Sequence, residues 1–258
     1  MSRQHEIEIR FYAELNDFLP ADKRQVAFRH GFDGSPSIKD TLEAIGVPHT
    51  EVDVILVDDE SVDFSHRIAG GERVTVYPVF ERFDVAGITR LRPAPLRVTR
   101  FIADVHLGTL ARYLRLLGFD TAWQRDLDDD TIIDQSLDEQ RIILTRDKGI
   151  LKNGRVTHGY WLRATNAELQ LAEVVRVLDL AGSIAPYTRC MQCNGEIRSI
   201  SAADAAHSAP PRALEFYEEF SRCRTCGRVY WAGSHRPKLD AIIARARRGH
   251  ARQGDRSV

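Results

Sequence analysis

Four cysteines in two C-x-x-C pairs constrain this chain more than any other feature. They are Cys190-Met-Gln-Cys193, followed by Asn-Gly, and Cys223-Arg-Thr-Cys226, followed by Gly. A C-x-x-C turn sets two thiolates where both reach one tetrahedral zinc ion. The Asn-Gly or Gly that follows tolerates the positive φ of such a knuckle. Two knuckles supply four sulfur ligands and leave no open coordination position, so the expected zinc site is structural rather than catalytic. The 29 residues between Cys193 and Cys223 exceed the roughly 15–20 of the commonest pattern, and residues 200–212 read as an insertion. Competing readings are two disulfides or a redox C-x-x-C motif. The first needs an oxidising compartment, and the second does not explain a matched pair. Without metal this segment has few large apolar residues and is expected to be poorly ordered.

The compartment matters to that choice. No stretch approaches the roughly 18 apolar residues of a membrane span, and the N-terminus MSRQHEIEIRFYAEL lacks the apolar core of a signal peptide. The expectation is a cytoplasmic protein without a membrane partner, in which disulfides rarely persist. Formal net charge is -1, so any attraction for nucleic acid must come from local basic surface.

The chain divides into segments by pattern. Residues 1–83 read β-β-α-β-β, a small ubiquitin-like β-grasp. Strands are expected at Glu6–Tyr12, Gln25–Arg29, Val52–Val57 and Arg73–Phe80. Ser37 caps a helix over Ile38–Ile45 that Gly46 ends, and Gly70-Gly71 marks a turn. Residues 84–97, with Pro93 and Pro95, read as a linker. In residues 98–182, strands at Arg100–Ala103, Thr121–Gln124, Ile142–Thr145 and Tyr160–Leu162 alternate with helices. The helices are expected at Leu107–Leu117, Asp130–Glu139 and Asn166–Leu180. That alternation implies an α/β fold with a parallel sheet. The cysteines occupy residues 183–240, and residues 241–258 form a basic tail. From Arg236 onward there are seven Arg or Lys against two Asp.

Sites in open parallel sheets form at the carboxyl ends of strands. Asp104 directly follows one strand, Asp147 follows another after Arg146, and Asp128-Asp129-Asp130 opens a helix. Carboxylates that converge repel unless a cation lies between them. Hard oxygen ligands favour Mg²⁺ or Mn²⁺, and such a site activates water for attack on phosphate. The same residues also suit capping of turns and helix starts. Arg112 and Arg115 share a helix face. With Arg146 they are candidates to grip RNA phosphates or to pair with the acids internally.

Four ordered blocks carry a resemblance: RFIADVHLGTLARYLRLLGFDT, IILTRDKGIL, RCMQCNGEI and CRTCGRVYWAGSH. From about residue 98 to about 240 the chain resembles the Mut-seven C-terminal RNase family, PIN-like nuclease domains with an appended zinc ribbon. Residues 5–81 resemble the ubiquitin-like domain that often precedes them, which is similar to small sulfur carriers. The resemblance implies a metal-dependent ribonuclease whose catalytic acids are Asp104 and Asp147. Asp129 best matches the middle acid and Asp130 is its rival. These acids are implied to hold Mg or Mn. Where the family commonly has a further acid after the first Asp, this chain has His106, read as a surface residue or a participant.

Sulfur carriers end in a free Gly-Gly. Here VTVYPVF runs straight on and Gly70-Gly71 is internal, so partner binding, RNA binding or positioning of the nuclease is the expected role of the first segment. At the other end, His235 and Arg236 are the better candidates for RNA contact, with Trp231 expected in the ribbon core. Arg245–Arg256 either adds phosphate affinity or is a frayed terminus. The alternatives to a ribonuclease are an inactive RNA-binding adaptor and a sulfur-carrier-like accessory.

Overall fold

A computed structural model describes residues 4–78 and 99–248. In chain order the elements are β1 (Gln4–Phe11), β2 (Phe28–Asp33), α1 (Ile38–Ile45), β3 (Val52–Val57), β4 (Glu60–Ser61), β5 (Arg73–Pro78), β6 (Arg100–Ala103), α2 (Gly108–Leu116), β7 (Asp120–Ala122), α3 (Asp129–Glu139), β8 (Ile142–Thr145), α4 (Lys148–Leu151), β9 (Gly159–Trp161), α5 (Ala167–Val177), β10 (Ile197–Ile200), α6 (Ala202–Ala205), α7 (Pro211–Phe216), β11 (Phe220–Cys223), β12 (Val229–Trp231) and α8 (Arg236–Arg248). The expected linker over residues 84–97 lies outside the described residues.

The chain forms two compact units. The first joins residues 1–97 to the segment Asp147–Trp161. Its sheet has the order β2-β1-β5-β3-β4, with β1 and β5 parallel at the centre and antiparallel partners outside. That arrangement with one helix is a β-grasp. The sequence folds this way because alternate residues of β1 (Ile7, Ile9, Phe11) and β5 (Val74, Val76) face one side. They meet Ile38 and Leu42 from α1 in a core with Leu15, Ile55 and Ile68. The Ser37 hydroxyl accepts the Asp40 N–H at 3.1 Å to start α1, and Gly46 at φ 115 ends it. The second strand begins at Phe28, later than expected, because a three-residue helical turn over Ala21–Lys23 uses up the chain after Pro20. Gly70 and Gly71 have φ of 109 and 92, and the Gly71 N–H donates to Glu6 O at 2.7 Å, so the pair is a turn inside the fold.

The segment Asp147–Trp161 packs within this unit. The Phe18 and Trp161 rings lie 4.9 Å apart, and Lys148 Nζ sits 4.1 Å from the Trp161 ring centroid. Buried His49 places Nε2 at 2.7 Å from Val156 O and Nδ1 at 2.6 Å from Glu43. Lys152 Nζ donates to Glu43 O at 3.2 Å.

The second unit comprises residues 98–146 and 162–258. Its parallel strands run in the order β7-β6-β8. Phe101, Ile102, Ala103, Ile143 and Leu144 are fully buried, as expected of a parallel strand covered on both faces. Helices α2, α3 and α5 follow from their apolar spacing. Asp128 caps α3 by accepting the Thr131 N–H at 2.8 Å, and the Asn166 side chain caps α5.

Strands β10-β11-β12 form an antiparallel sheet in the same unit. The insertion between the cysteine pairs is ordered. It forms α6 and α7, whose Ala205, Ala209 and Ala213 pack on Phe220 and Val229 with Trp231 partly buried alongside. The expected basic tail is helical as far as Arg248, because Ile242, Ile243 and Ala246 form one buried face of α8. Residues 249–258 lie outside the described residues.

Candidate functional site

The four cysteine sulfurs lie within 4.8 Å of one another. Cys190 Sγ is 3.7 Å from Cys226 Sγ, and Cys193 Sγ is 3.4 Å from Cys223 Sγ. A tetrahedral ion with bonds of about 2.3 Å sets sulfurs about 3.8 Å apart, so the donor set fits zinc in number, chemistry and spacing. A disulfide needs about 2.05 Å, and all four cysteines are free. The two knuckles match each other. Asn194 after the first and Gly227 after the second have φ of 69 and 71, which only Gly, Asn or Asp adopt readily.

The Tyr230 hydroxyl lies 2.9 Å from Cys190 Sγ. Burial pushes the Cys190 thiol up. The hydrogen bonds from Tyr230 and from the Cys193 and Gln192 backbone outweigh burial and hold the thiol down at about 6. Cys190 is thereby held toward thiolate, the form that binds metal, whereas burial pushes the Cys193 thiol up to about 12.

Side chains lock this knuckle to the parallel sheet. Arg115, only 3% exposed, donates from Nε to Thr121 O at 2.9 Å. Its Nη1 donates to Met191 O and Gln192 O at 3.3 and 3.0 Å. The expectation that Arg115 grips RNA phosphate is therefore corrected: its guanidinium is consumed by three carbonyls away from solvent. Asp120 Oδ1 accepts from Arg141 Nη1 and from Asn194 Nδ2, each at 2.7 Å, and Asp120 Oδ2 lies 3.3 Å from Arg189. The Thr121 N–H also donates to Asn194 Oδ1 at 3.0 Å. Sequence reasoning missed this joint. Its one signal is the polar pair Asp120-Thr121, which opens the strand Asp120–Ala122 one residue before the expected Thr121–Gln124.

The carboxylates occupy three settings. Asp104 follows β6, the central parallel strand. Its Oδ2 accepts the Thr145 hydroxyl of β8 at 2.7 Å, and its N–H donates to Leu144 O at 3.0 Å. Trp123 closes on the turn after Asp104, donating from Nε1 to Val105 O at 3.1 Å. A Cβ on Gly108 would lie 2.5 Å from the Trp123 ring, so glycine there admits the indole. Asp129 and Asp130 are exposed in the first turn of α3, just after the capping Asp128. A carboxylate in a first turn is favoured by the helix dipole.

Asp147 belongs to the other unit. It caps α4, accepting the Gly149 N–H at 2.7 Å. Arg146 and His106 are exposed. Arg112 and His235 are exposed, and both line a cleft in the second unit. Arg236 also lines it, but its charge is already engaged. Its guanidinium carbon sits 3.8 Å above the Tyr187 ring, and its Nε lies 3.2 Å from Asp240.

A β-grasp unit joined to an α/β core with an acid after its central parallel strand and a four-thiol ribbon defines the class of protein. The chain belongs to the Mut7-C RNase domain family, whose model matches residues 99–243, more than half of its length. A Mut7-C ubiquitin domain matches residues 4–84. Among solved structures, small archaeal modifier protein 1 of H. volcanii matches at 19% identity and a TM-score of 0.24, over 30% of this chain and 99% of its own. No curated protein matches. Among the described residues no helix is long and apolar enough to cross a membrane.

Proposed function

We propose that this protein is a ribonuclease that hydrolyses RNA phosphodiester bonds at a carboxylate-held Mg²⁺ or Mn²⁺, with zinc at the four cysteines as a structural ion. The observation that carries the reading is Asp104, placed at the carboxyl end of the central strand inside the family's matched region and oriented by Thr145. Parallel sheets build their sites at that edge. The donor chemistry suits a hard cation, because Asp104, Asp129 and Asp147 offer carboxylate oxygens and no soft ligand. Asp130 is the neighbouring alternative to Asp129. A bound hard cation supplies charge neutralisation and lowers the pKa of water.

The chain's own residues do the rest. Thr145 fixes one Asp104 oxygen and leaves the other to a ligand. The α4 cap fixes Asp147. Arg146 offsets charge on the phosphate, and His235 extends contact with RNA from the ribbon side. The β-grasp unit serves a protein partner or holds the Asp147 segment.

A panel of labelled RNAs incubated with Mg²⁺, Mn²⁺ or neither tests the assignment. Cleavage is expected with metal. Asp104→Asn and Asp147→Asn are each expected to lower it by at least about 100-fold, the scale of losing one activating group, with zinc content unchanged. Cleavage at the unaltered rate in both variants would refute the carboxylate site.

A further inference from the structure

Zinc in the ribbon explains the cysteines but not the space beside them. A cleft of about 1160 Å³ lies within the second unit, walled by α2, the β10–β12 ribbon and α8. It exceeds the roughly 300–1,000 Å³ of ordinary small-molecule sites, so it suits an extended ligand. One face of α2 lines it through Thr109, Arg112, Tyr113 and Leu116, the i, i+3, i+4, i+7 spacing of a helix face. Thr109 is five residues after Asp104 in sequence, and Asp104 itself is not on the lining.

The charges of the cleft are one-sided. Arg112 on α2, Arg228 on the second knuckle and Lys238 on α8 are exposed and line it. None of the three is ion-paired among the described residues. His235 stands beside them, and Glu219 is the acid on the lining. Three unpaired cations facing one space attract a polyanion. Tyr113 and Trp231, both half-buried, add aromatic surface to the same walls. A duplex keeps its base faces stacked and cannot use aromatic walls, whereas unstacked bases can.

We propose that this cleft is a binding channel for single-stranded RNA, with Arg112, Arg228 and Lys238 on consecutive phosphates and Tyr113 and Trp231 as stacking surfaces. The identity of the ligand rests on the ribonuclease reading. The geometry of the channel does not.

The test is equilibrium binding of a labelled oligouridylate to the zinc-loaded full chain, without Mg²⁺ or Mn²⁺, over a salt series. The triple variant R112Q/R228Q/K238Q is compared with R198Q/R212Q/R247Q, which removes equal charge from exposed positions outside the cleft. Each phosphate contact to a single strand contributes about 0.7 to the slope of log affinity against log salt. The cleft variant is therefore expected to bind more weakly with a slope shallower by about 2, and the control to keep the wild-type slope. Restoring lysine at positions 112 and 228 is expected to recover most of the slope.

An unchanged slope in the cleft variant, an equal loss in the control, or tighter binding of duplex RNA than of the single strand would overturn the proposal. Zinc content and circular dichroism establish that each variant is folded. The two readings fail separately. Cleavage lost in Asp104→Asn alongside unchanged binding by the cleft variant defeats the channel alone. Binding lost in the cleft variant, with no RNA cut under any metal, defeats the nuclease alone.

Discussion

Arg115 and Arg112 sit one turn apart on the same short helix and do opposite work. Arg115 is buried and satisfied by three carbonyls, two of them on the zinc knuckle, while Arg112 faces the cleft. Helical spacing placed both on one side, but an angular difference of about 60° at this radius separates core from surface. Asp120 is the other residue on which the joint depends. Burial pushes its carboxyl up. Hydrogen bonds from Arg141 and Asn194 and the charges of Arg141 and Arg189 outweigh burial and hold it below its ordinary value. The folded pKa is depressed, so the stabilisation is complete above the unfolded value of about 3.9 and is lost as pH falls through the folded value below it. Asp120→Asn is expected to cost about 2–3 kcal/mol at neutral pH, the scale of hydrogen bonds to a charged group. Urea midpoints of both proteins from about pH 6 to pH 3 should converge only below about pH 4. The comparison is a difference, so proton uptake by the thiolates cancels. A gap already closed at neutral pH would show that the Arg141–Asp120 pair does not stabilise the fold.

At the scale of elements, the ribbon is three short strands that cannot hold themselves. Isolated strands of this length are marginal in water. The insertion adds a small core of alanines around Phe220, and the remaining order is expected to come from metal. Chelation of zinc, or Cys226→Ser, should therefore raise hydrogen exchange across β10, β11 and β12 while β6 and β8 stay protected. Equal protection with and without zinc would mean that the alanine core suffices. Helix positions were the most legible elements. α1, with a Ser cap and a Gly stop, spans the predicted Ile38–Ile45, because local caps and apolar spacing decide a helix without help from distant residues. The second strand lies at Phe28–Asp33 rather than the expected Gln25–Arg29, because its edges are fixed by its register with β1. The tail expected over residues 241–258 begins inside α8, whose arginines mask the three buried apolar residues on its far side.

At the scale of the molecule, the segment Asp147–Trp161 finds its packing partners far away in sequence. It packs in the β-grasp unit, through Trp161 on Phe18 and Val156 on His49. A candidate catalytic acid thus heads a segment that the N-terminal unit holds. A chain that starts at residue 98 removes those partners and leaves Val156 and Trp161 uncovered. Such a truncation is expected to lose amide protection over residues 150–156 while β6 and α2 keep theirs, as hydrogen exchange would read directly. Retained protection in that segment would assign its order to the parallel-sheet unit instead.

The sequence alone determined what depends on local chemistry: the paired knuckles with their left-handed residues, the capped helices, the parallel strands too apolar to face water, and the family to which the chain belongs. Tertiary structure decided what depends on residues distant in sequence. It buried Arg115 beneath a knuckle 76 residues away, engaged Arg236 with Tyr187 and Asp240, and gathered Arg112, Arg228 and Lys238 around one cleft. No local pattern contains that information, because a side chain's exposure and its charged neighbours are set by packing. The four cysteines were legible for the opposite reason, since zinc demands its ligands in a spacing short enough to be written in the chain.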